Sequence, residues 1–376
     1  MQLRIVDNLD AISAADWNAL AGDRNPFLAH EFLSALEHQQ CVGERFGWLP
    51  RHLAVYDQDR LVGAVPLYLK DNSYGELVFD WAWADAYQRA GLRYYPKAVV
   101  AIPYTPATGP RLLVHPAADA QHVTDLLIDG ALELCRELQL SSLHWLFTDA
   151  ADTARLQARG LLLRKGVQFH WHNPGYRDFE DFLGTFTAEK RKKLKRERRR
   201  VAEQDIELRI VHGHEASATE WQIAHRFYAS TFDRKSGMAT LSLDFFREIG
   251  RTMGERVVLV FAYAADRPVA CAINLRGSDA LYGRHWGCIE EYHSLHFEAC
   301  YYQGIEYCIR HGLTLFEPGA QGEHKISRGF APTATWSAHW IADDRFRVAI
   351  ADYVQREERA MTDYAETLHE HLPYRK

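Results

Sequence analysis

The chain has 376 residues, of which 47% are hydrophobic and 12% aromatic, and its formal charge at pH 7 is −6. This length suits two domains, and the composition is that of packed cores rather than of a disordered chain. No apolar run approaches the ~20 residues of a membrane-spanning helix, and charges occupy the N-terminal stretch where a signal peptide is apolar. We therefore expect a cytoplasmic protein without a membrane span.

The first half of the chain predicts a sheet with one long helix. Two strands, in RHLAVYD and RLVGAVPLYLK, flank a turn at residues 57–60. An aromatic loop at 80–95 follows, and then the segment KAVVAIPYTPATGPRLLV. Apolar residues at helical spacing predict a helix at about 123–138, which leads into the strand SSLHWLF.

A basic segment, EKRKKLKRERRRV, lies at residues 189–201 between the two halves. Its net charge of +7 leaves −13 for the rest of the chain, so the positive charge is confined to one element. Good helix formers predict a helix from Ala188, capped by Thr187. We expect one face of this helix to bind phosphates, although a solvated linker helix is the alternative; that face carries Arg191, Lys195, Arg198 and Arg199.

The second half repeats the plan of the first. Helices are predicted at about 219–232 and 243–253, followed by three strands within 257–288, a helix at about 296–311, the strand LTLFEP and a closing strand, TATWSAHW. The segments ELCRELQLSSLHW and EYCIRHGLTLFEP align, which favours an internal duplication. This element order resembles the GNAT fold of acetyltransferases.

The predicted fold class is therefore α/β (α+β), with two tandem GNAT-like domains whose mixed, mostly antiparallel sheets are flanked by helices. We place the N-terminal domain at 1–175, a basic linker helix at 176–205 and the C-terminal domain at 206–376.

Five motifs carry a resemblance to a known family: YTPATGPRL, KRKKLKRERRRV, YGRHWG, LHFEACYYQGIEYCI and FEPGAQGEHKISRGFAP. They resemble the FemAB-like family of peptidoglycan biosynthesis or recognition, roughly over residues 26–340. The resemblance implies transfer of an aminoacyl group from aminoacyl-tRNA to an amine on a cell-wall precursor peptide. It also implies that the basic helix holds the phosphates of an RNA 3′ end or of a nucleotide-linked substrate. The chain has no insertion long enough for the coiled-coil arm of some Fem enzymes.

The acyl donor is a separate question. A GNAT enzyme that uses coenzyme A needs a glycine-rich pyrophosphate loop, but RHWGCIEEYHSLHFE has the single glycine Gly287 and two acids, Glu290 and Glu291. Together with what the family resemblance implies, this favours aminoacyl-tRNA as the donor, with no permanently bound cofactor. Two alternatives stay open: an N-acyltransferase that uses coenzyme A, and a non-catalytic module that recognises peptidoglycan precursors.

The segment FEPGAQGEHKISRGF is the densest group of candidate catalytic residues. Aminoacyl transfer needs an amine to lose a proton and an ester carbonyl to be polarised. We predict catalytic roles for Glu317, His324 and Lys325, and substrate contacts for Gln321, Glu323 and Arg328. A polar loop with surface ion pairs is the alternative.

Further candidates stand on either side of this segment. Arg284 and Trp286 share one face of a predicted strand, where a structural pair between Arg284 and Glu317 is as reasonable as substrate binding. The remaining predicted substrate contacts are Tyr104, Thr105, Arg111, Gln168, His170, His296 and Glu298. We predict no metal site, because the histidines lack a zinc-binding spacing and the six cysteines form no Cys-x-x-Cys pair.

Overall fold

The structure is a computed structural model that describes residues 1–234, 237–320 and 322–375. The strands are β1 Gln2–Val6, β2 Trp48–Pro50, β3 His52–Asp57, β4 Arg60–Val65, β5 Leu67–Lys70, β6 Lys97–Val100, β7 Leu113–Val114, β8 Ser142–Thr148, β9 Leu162–His172, β10 Ile206–His212, β11 Val257–Ala264, β12 Arg267–Arg276, β13 Ala280–Cys288, β14 Leu315–Glu317 and β15 Ala331–Ile341.

The helices are α1 Ala14–Ala21, α2 His30–His38, α3 Trp81–Arg89, α4 Ala120–Glu137, α5 Ala150–Ala158, α6 Phe179–Gly184, α7 Ala188–Ala202, α8 Ala218–Arg234, α9 Leu243–Met253, α10 Leu295–Phe297, α11 Gln303–His311 and α12 Asp344–His369. A π-helical turn, Glu298–Tyr302, connects α10 to α11. Among the residues that the structure describes, no helix is both long and apolar enough to cross a membrane.

The chain forms two compact units. The first contains Met1–Gly22, Phe27–Val167 and Ala334–Tyr364, and the second contains Asp23–Pro26, Gln168–Thr333 and Ala365–Lys376. These units are defined by contacts within the structure, whereas a domain is defined by its ability to fold alone. The predicted domain boundaries at residues 175 and 205 therefore stay predictions.

The first unit holds two sheets. One has the order β1-β3-β4-β7 and is antiparallel throughout. In the other, β6 runs parallel to β8, and residues Trp336–Ile341 of β15 pair with β8 on its other side. The closing strand TATWSAHW therefore completes a sheet of the first unit, so its predicted place in the second-half sheet was wrong.

Helix α4 confirms the helix predicted at 123–138. Asp119 accepts a hydrogen bond from the backbone of His122 and caps its first turn. Its apolar side chains repeat every three or four residues, so they form one buried stripe in the core of the first unit, which includes Val123, Leu127, Ala131 and Cys135.

The sequence predicted an aromatic loop at residues 80–95, and this prediction was wrong for part of the segment. Residues Trp81–Arg89 form the helix α3. Trp83 and Tyr87 lie one helical turn apart and are buried in a cluster with Tyr94, Ile350 and Val354. These aromatic side chains therefore help to close a core of the first unit.

The second unit holds a mixed sheet with the order β10-β11-β12-β13-β14, extended by Trp171 and His172 of β9. Strands β13 and β14 are parallel, and their pairing ends at Tyr282 and Glu317. Beyond that point β13 continues to Cys288 and remains paired with β12. Helices α8 and α9 confirm the two predicted there. The mixed sheets flanked by helices in both units confirm the predicted fold class.

Candidate functional site

A cavity of about 550 Å³ opens in the second unit where β13 and β14 stop pairing. Its lining comes from the part of β13 beyond Tyr282, from the glycine-rich segment that follows β14, and from residues of β12 and of the segment around the π-helical turn. The cavity is lined by Ala272, Asn274, Gly283, Arg284, His285, Trp286, His296, Cys300, Tyr301, Pro318, Gly319, Ala320, Gly322, His324 and Lys325. We call it the smaller cavity. It brings together five of the predicted site residues.

Lys325 is the most unusual side chain of the smaller cavity. It is 1% exposed, and its Nζ atom donates a hydrogen bond of 2.5 Å to the carbonyl oxygen of Gly319. Burial lowers its pKa to about 7, and only Cys300 acts weakly against this shift. The amine is therefore present in both protonation states near neutral pH, as a proton-transfer group requires.

His324 is exposed beside Lys325. Its Nε2 atom lies 2.8 Å from the hydroxyl oxygen of Tyr301. Burial, together with the charges of Arg328 and Lys325, lowers the pKa of His324. The ring of His296 packs edge-on against Tyr301, with 5.3 Å between the centroids. These three side chains therefore form one polar and aromatic wall of the smaller cavity.

Arg284 is placed by an irregularity in β13. Ile273 pairs with His285 while its neighbour Asn274 pairs with Gly283, so Arg284 is the extra residue of a β-bulge. Such a bulge re-aims a side chain. Burial lowers the pKa of Arg284 to about 10, and this shift is partly offset by the charge of Glu317.

Glu317, His170 and Gln168 are buried and are not among the residues that line the smaller cavity. The carboxylate of Glu317 lies 4.0 Å from Nε2 of His170, which lies 3.2 Å from the side-chain oxygen of Gln168. Burial lowers the pKa of His170 to about 3, so its ring is neutral at physiological pH. The catalytic role of Glu317 and the substrate contacts of His170 and Gln168 stay predictions.

A larger cavity of about 780 Å³ adjoins the smaller one, and Trp286 and His296 line both. The backbone of Trp286 accepts a 2.6 Å hydrogen bond from Thr231 of α8. The rest of the lining of the larger cavity comes mainly from the end of β13 and the segment before α10: Arg234, Cys288, Glu290, Glu291, Tyr292, His293, Ser294, Leu295 and Phe297. Two ligands could thus meet at Trp286 and His296.

The basic segment forms α7, which begins at Ala188 as predicted, although Thr187 makes no side-chain capping hydrogen bond. Arg198 donates to Glu298 at 2.9 Å and to Glu306 at 2.7 Å. Burial by itself would lower the pKa of Arg198, but the two carboxylates have the larger effect, so the pKa of the guanidinium is raised. Arg198 and Glu298 are therefore partners inside the unit. The phosphate contact predicted for Arg198 and the substrate contact predicted for Glu298 stay predictions.

The other three residues of the predicted phosphate-binding face differ from Arg198. Lys195 and Arg199 are exposed and pair with Glu180 and Glu203 at 2.6 and 3.4 Å. Pairs this exposed contribute little stability, so an anion could replace the carboxylate. Arg191 is half-buried, and no carboxylate among the described residues forms an ion pair with it. Phosphate binding by this face stays a prediction.

Arg328 is buried and forms an ion pair of 2.8 Å with Glu197 of α7. It does not line either cavity. Glu323 is exposed next to His324, and Gln321 lies outside the described residues. Their predicted substrate contacts stay predictions.

Three predicted substrate contacts lie in the first unit. The Tyr104 hydroxyl donates to the carbonyl oxygen of Cys41, and the Thr105 hydroxyl donates to that of Pro103. Arg111 has no exposed surface, and its guanidinium donates to four backbone carbonyls, including that of Leu146 at 3.0 Å. These bonds shape the surrounding loop, and the substrate contacts stay predictions.

Tyr301 is a residue of the smaller cavity that the sequence did not predict. In a regular α-helix, the residues three and four positions after His296 would share its face, and these are Ala299 and Cys300. The π-helical turn at Glu298–Tyr302 inserts an extra residue and brings Tyr301 against His296 instead. No signal in the helical periodicity could have found it.

Among the residues that the structure describes, no group of three or more His, Cys, Asp or Glu side chains could hold a metal ion. The candidate site is a pair of cavities whose ionisable lining residues include one lysine amine, two guanidiniums, four imidazoles, two phenols and two carboxylates. Such groups suit proton transfer and the stabilisation of a developing oxyanion.

The FemAB_like family, described as peptidoglycan biosynthesis/recognition, matches residues 8–376. Because the match covers nearly the whole chain, the chain belongs to this family. The solved structure of FemX is similar, with a TM-score of 0.57 at 10% identity, covering 93% of this chain and 100% of FemX.

L-PGS from Bacillus licheniformis is similar with a TM-score of 0.52 at 13% identity, covering 89% of this chain and 97% of that one. A tandem GNAT protein from the clavulanic acid biosynthesis pathway is more distant, with a TM-score of 0.45 at 14% identity, covering 91% and 99%. No curated protein has a significantly similar sequence. At these identities the structural likenesses show the fold alone.

Proposed function

We propose that the chain transfers an aminoacyl group from aminoacyl-tRNA to an amine acceptor such as a peptidoglycan precursor peptide. One observation carries the proposal: Lys325 and Arg284 line the same cavity, at the place where the parallel strands β13 and β14 diverge. No permanently bound cofactor is required, and the location proposed with this function is the cytoplasm.

Lys325 is the group proposed to move the proton. Its neutral amine accepts a proton from the attacking nitrogen, the new C–N bond forms, and a tetrahedral oxyanion results. When the ester C–O bond breaks, the Lys325 ammonium returns a proton to the leaving carrier oxygen. A lysine amine with a pKa of about 7 can act in both directions near neutral pH.

Arg284 is proposed to stabilise negative charge on the oxyanion or on a carboxylate of the substrate. Its partial burial limits competing water, which strengthens its electrostatic effect on a developing charge. His324 with Tyr301 forms a second polar pair near Lys325 and is proposed to orient the acceptor. The shared wall of Trp286 and His296 lets one substrate occupy each cavity.

The test is a transfer assay with the purified full-length chain. A set of radiolabelled aminoacyl-tRNAs is combined with nucleotide-linked muramyl peptides and simple primary amines, and the label in the amide product is counted. The control Lys325→Met removes the amine at similar length, and we expect it to abolish the labelled product.

Two further arms distinguish the alternatives. Transfer from acetyl-coenzyme A without tRNA would contradict the proposed donor and support an N-acyltransferase that uses coenzyme A. Binding of a muramyl peptide in isothermal titration, with no transfer from any donor, would contradict the enzymatic proposal and support the recognition module.

A further inference from the structure

The single acid in the middle of the basic segment, Glu197, faces inward. It lies on the buried face of α7 with Leu194 and Val201. Its Oε1 atom accepts a 2.8 Å hydrogen bond from Arg328, and its Oε2 atom accepts one from the Tyr302 hydroxyl. The basic helix is thereby joined to the π-helical turn and to the segment that carries Lys325.

Arg328 extends this connection to both cavities. Its Nη1 atom donates to the carbonyl oxygen of His324 at 2.6 Å, and the next residue is Lys325. Its guanidinium carbon lies 3.4 Å from the ring centroid of Phe297, which lines the larger cavity. A displacement of Arg328 would therefore move the backbone beside Lys325 and one wall of the larger cavity.

The position of Arg328 depends on Glu197. Both side chains are buried, with 2% and 6% of their surface exposed. A buried charge needs a charged or fully hydrogen-bonded partner, since burial without one is strongly unfavourable. Without the carboxylate, Arg328 would keep neutral acceptors on its own segment, namely His324 and Ser327, and would gain free energy by turning toward water.

We propose that Glu197 is a positioning residue, which holds the amine of Lys325 in place in the smaller cavity through Arg328. The inference rests on the proposed function of Lys325. It gives the basic helix a task on its buried face that is independent of any phosphate on its exposed face.

The first test compares Glu197→Gln with Glu306→Gln. Each variant removes an acid from an ion pair that joins α7 to another part of the second unit. Glu197 lies on α7 and pairs with Arg328, whereas Glu306 lies on α11 and pairs with Arg198 of α7. Glu306 has no described bond to the segment of Lys325. For Glu197→Gln we expect kcat of acyl transfer to fall by about tenfold or more, with KM of the donor within about twofold, because small misplacements at a reacting centre reduce the rate steeply. We expect Glu306→Gln to keep both constants.

Hydrogen–deuterium exchange of the same two proteins is a readout that does not need turnover. We expect Glu197→Gln to accelerate amide exchange in residues 322–330 while other peptides of the second unit keep their protection. Unchanged exchange in 322–330 would overturn the inference, even if no acyl transfer were ever found. A failure of the proposed function alone leaves the expected exchange pattern intact.

A double variant covers the case in which Glu197→Gln does not fold. Replacing a buried pair by apolar residues of similar size, as in Glu197→Leu with Arg328→Met, commonly preserves stability. We expect this protein to fold and to transfer at least about tenfold more slowly, since the bond from residue 328 to the His324 carbonyl is gone. A stable double variant with the wild-type rate would overturn the inference.

Discussion

The amine of Lys325 and the carbonyl oxygen of Gly319 are 2.5 Å apart, and both residues line the cavity at which β13 and β14 diverge. This carbonyl is a neutral partner, which cannot compensate a buried ammonium fully. The same burial that adapts the pKa of Lys325 to proton transfer must therefore weaken the fold when the amine is charged. Activity and stability should both respond to pH through this one residue.

We expect Lys325 to make the stability of the protein rise between pH 7 and pH 10. Lys325→Met should reduce that rise but not remove it, because burial also lowers the pKa of Lys70 to about 7. The folded-state pKa of about 7 is below the unfolded value of about 10.4, so the unfolded chain binds more protons in this window. The effect amounts to roughly 4 kcal/mol at most. Urea unfolding at several pH values measures it, and an equal pH dependence in both proteins would contradict it.

The rate of acyl transfer should rise with pH through about 7, because only the neutral amine of Lys325 accepts a proton. Lys325→Arg should lose about 100-fold or more in kcat, since a guanidinium keeps its proton. The measurement is a pH–rate profile for both proteins with saturating substrates. A Lys325→Arg enzyme with the wild-type rate would mean that positive charge, and not proton transfer, is what the site needs.

Removal of Arg198 should destabilise the protein by about 3 kcal/mol, because it leaves the buried Glu298 without its charged partner. Arg196, two positions earlier on α7, is exposed and has no ion pair with any described residue. Arg196→Ala should therefore change stability by less than about 0.5 kcal/mol. Urea unfolding of Arg198→Ala and Arg196→Ala compares the two, and similar losses would show that α7 is held in another way.

Glutamate at positions 191 and 199 should weaken tRNA binding without unfolding the protein. For every RNA phosphate that the variant no longer neutralises, the plot of log affinity against log salt concentration should become less steep by about one. Filter binding at several salt concentrations gives this slope. The matched control reverses two exposed arginines of α12, Arg345 and Arg347, and should bind tRNA normally. Unaltered affinity of the variant at 191 and 199 would remove this face of α7 from the proposal.

The periodicity of the sequence predicted several of the helices, although α12, with its 26 residues, was not among them. The apolar stripe of α4, the two helices α8 and α9 and the start of α7 at Ala188 follow from local spacing and helix propensity, which act within a few residues. The aromatic segment was harder, because the burial of Trp83 and Tyr87 depends on residues as distant as Ile350.

The candidate site was predicted only in part. The sequence indicated Arg284, Trp286, His296, His324 and Lys325, since polar residues near a strand end are a common site pattern, and the structure places all five around the smaller cavity. It could not indicate Tyr301, because a π-helical turn changes which side chains share a face. Nor could it show that Arg198 and Arg328 pair with carboxylates 100 and 131 residues away.

The amino-acid sequence by itself determined the family, the fold class and the place of the basic helix, because these depend on composition, motifs and local periodicity. Only the tertiary structure decided which charges of that helix are already neutralised and which strand closes each sheet. It also decided that the amine of Lys325 is buried beside a carbonyl. Burial and the pairing of distant charges arise when the chain packs, and they shift the pKa values on which the proposed chemistry depends.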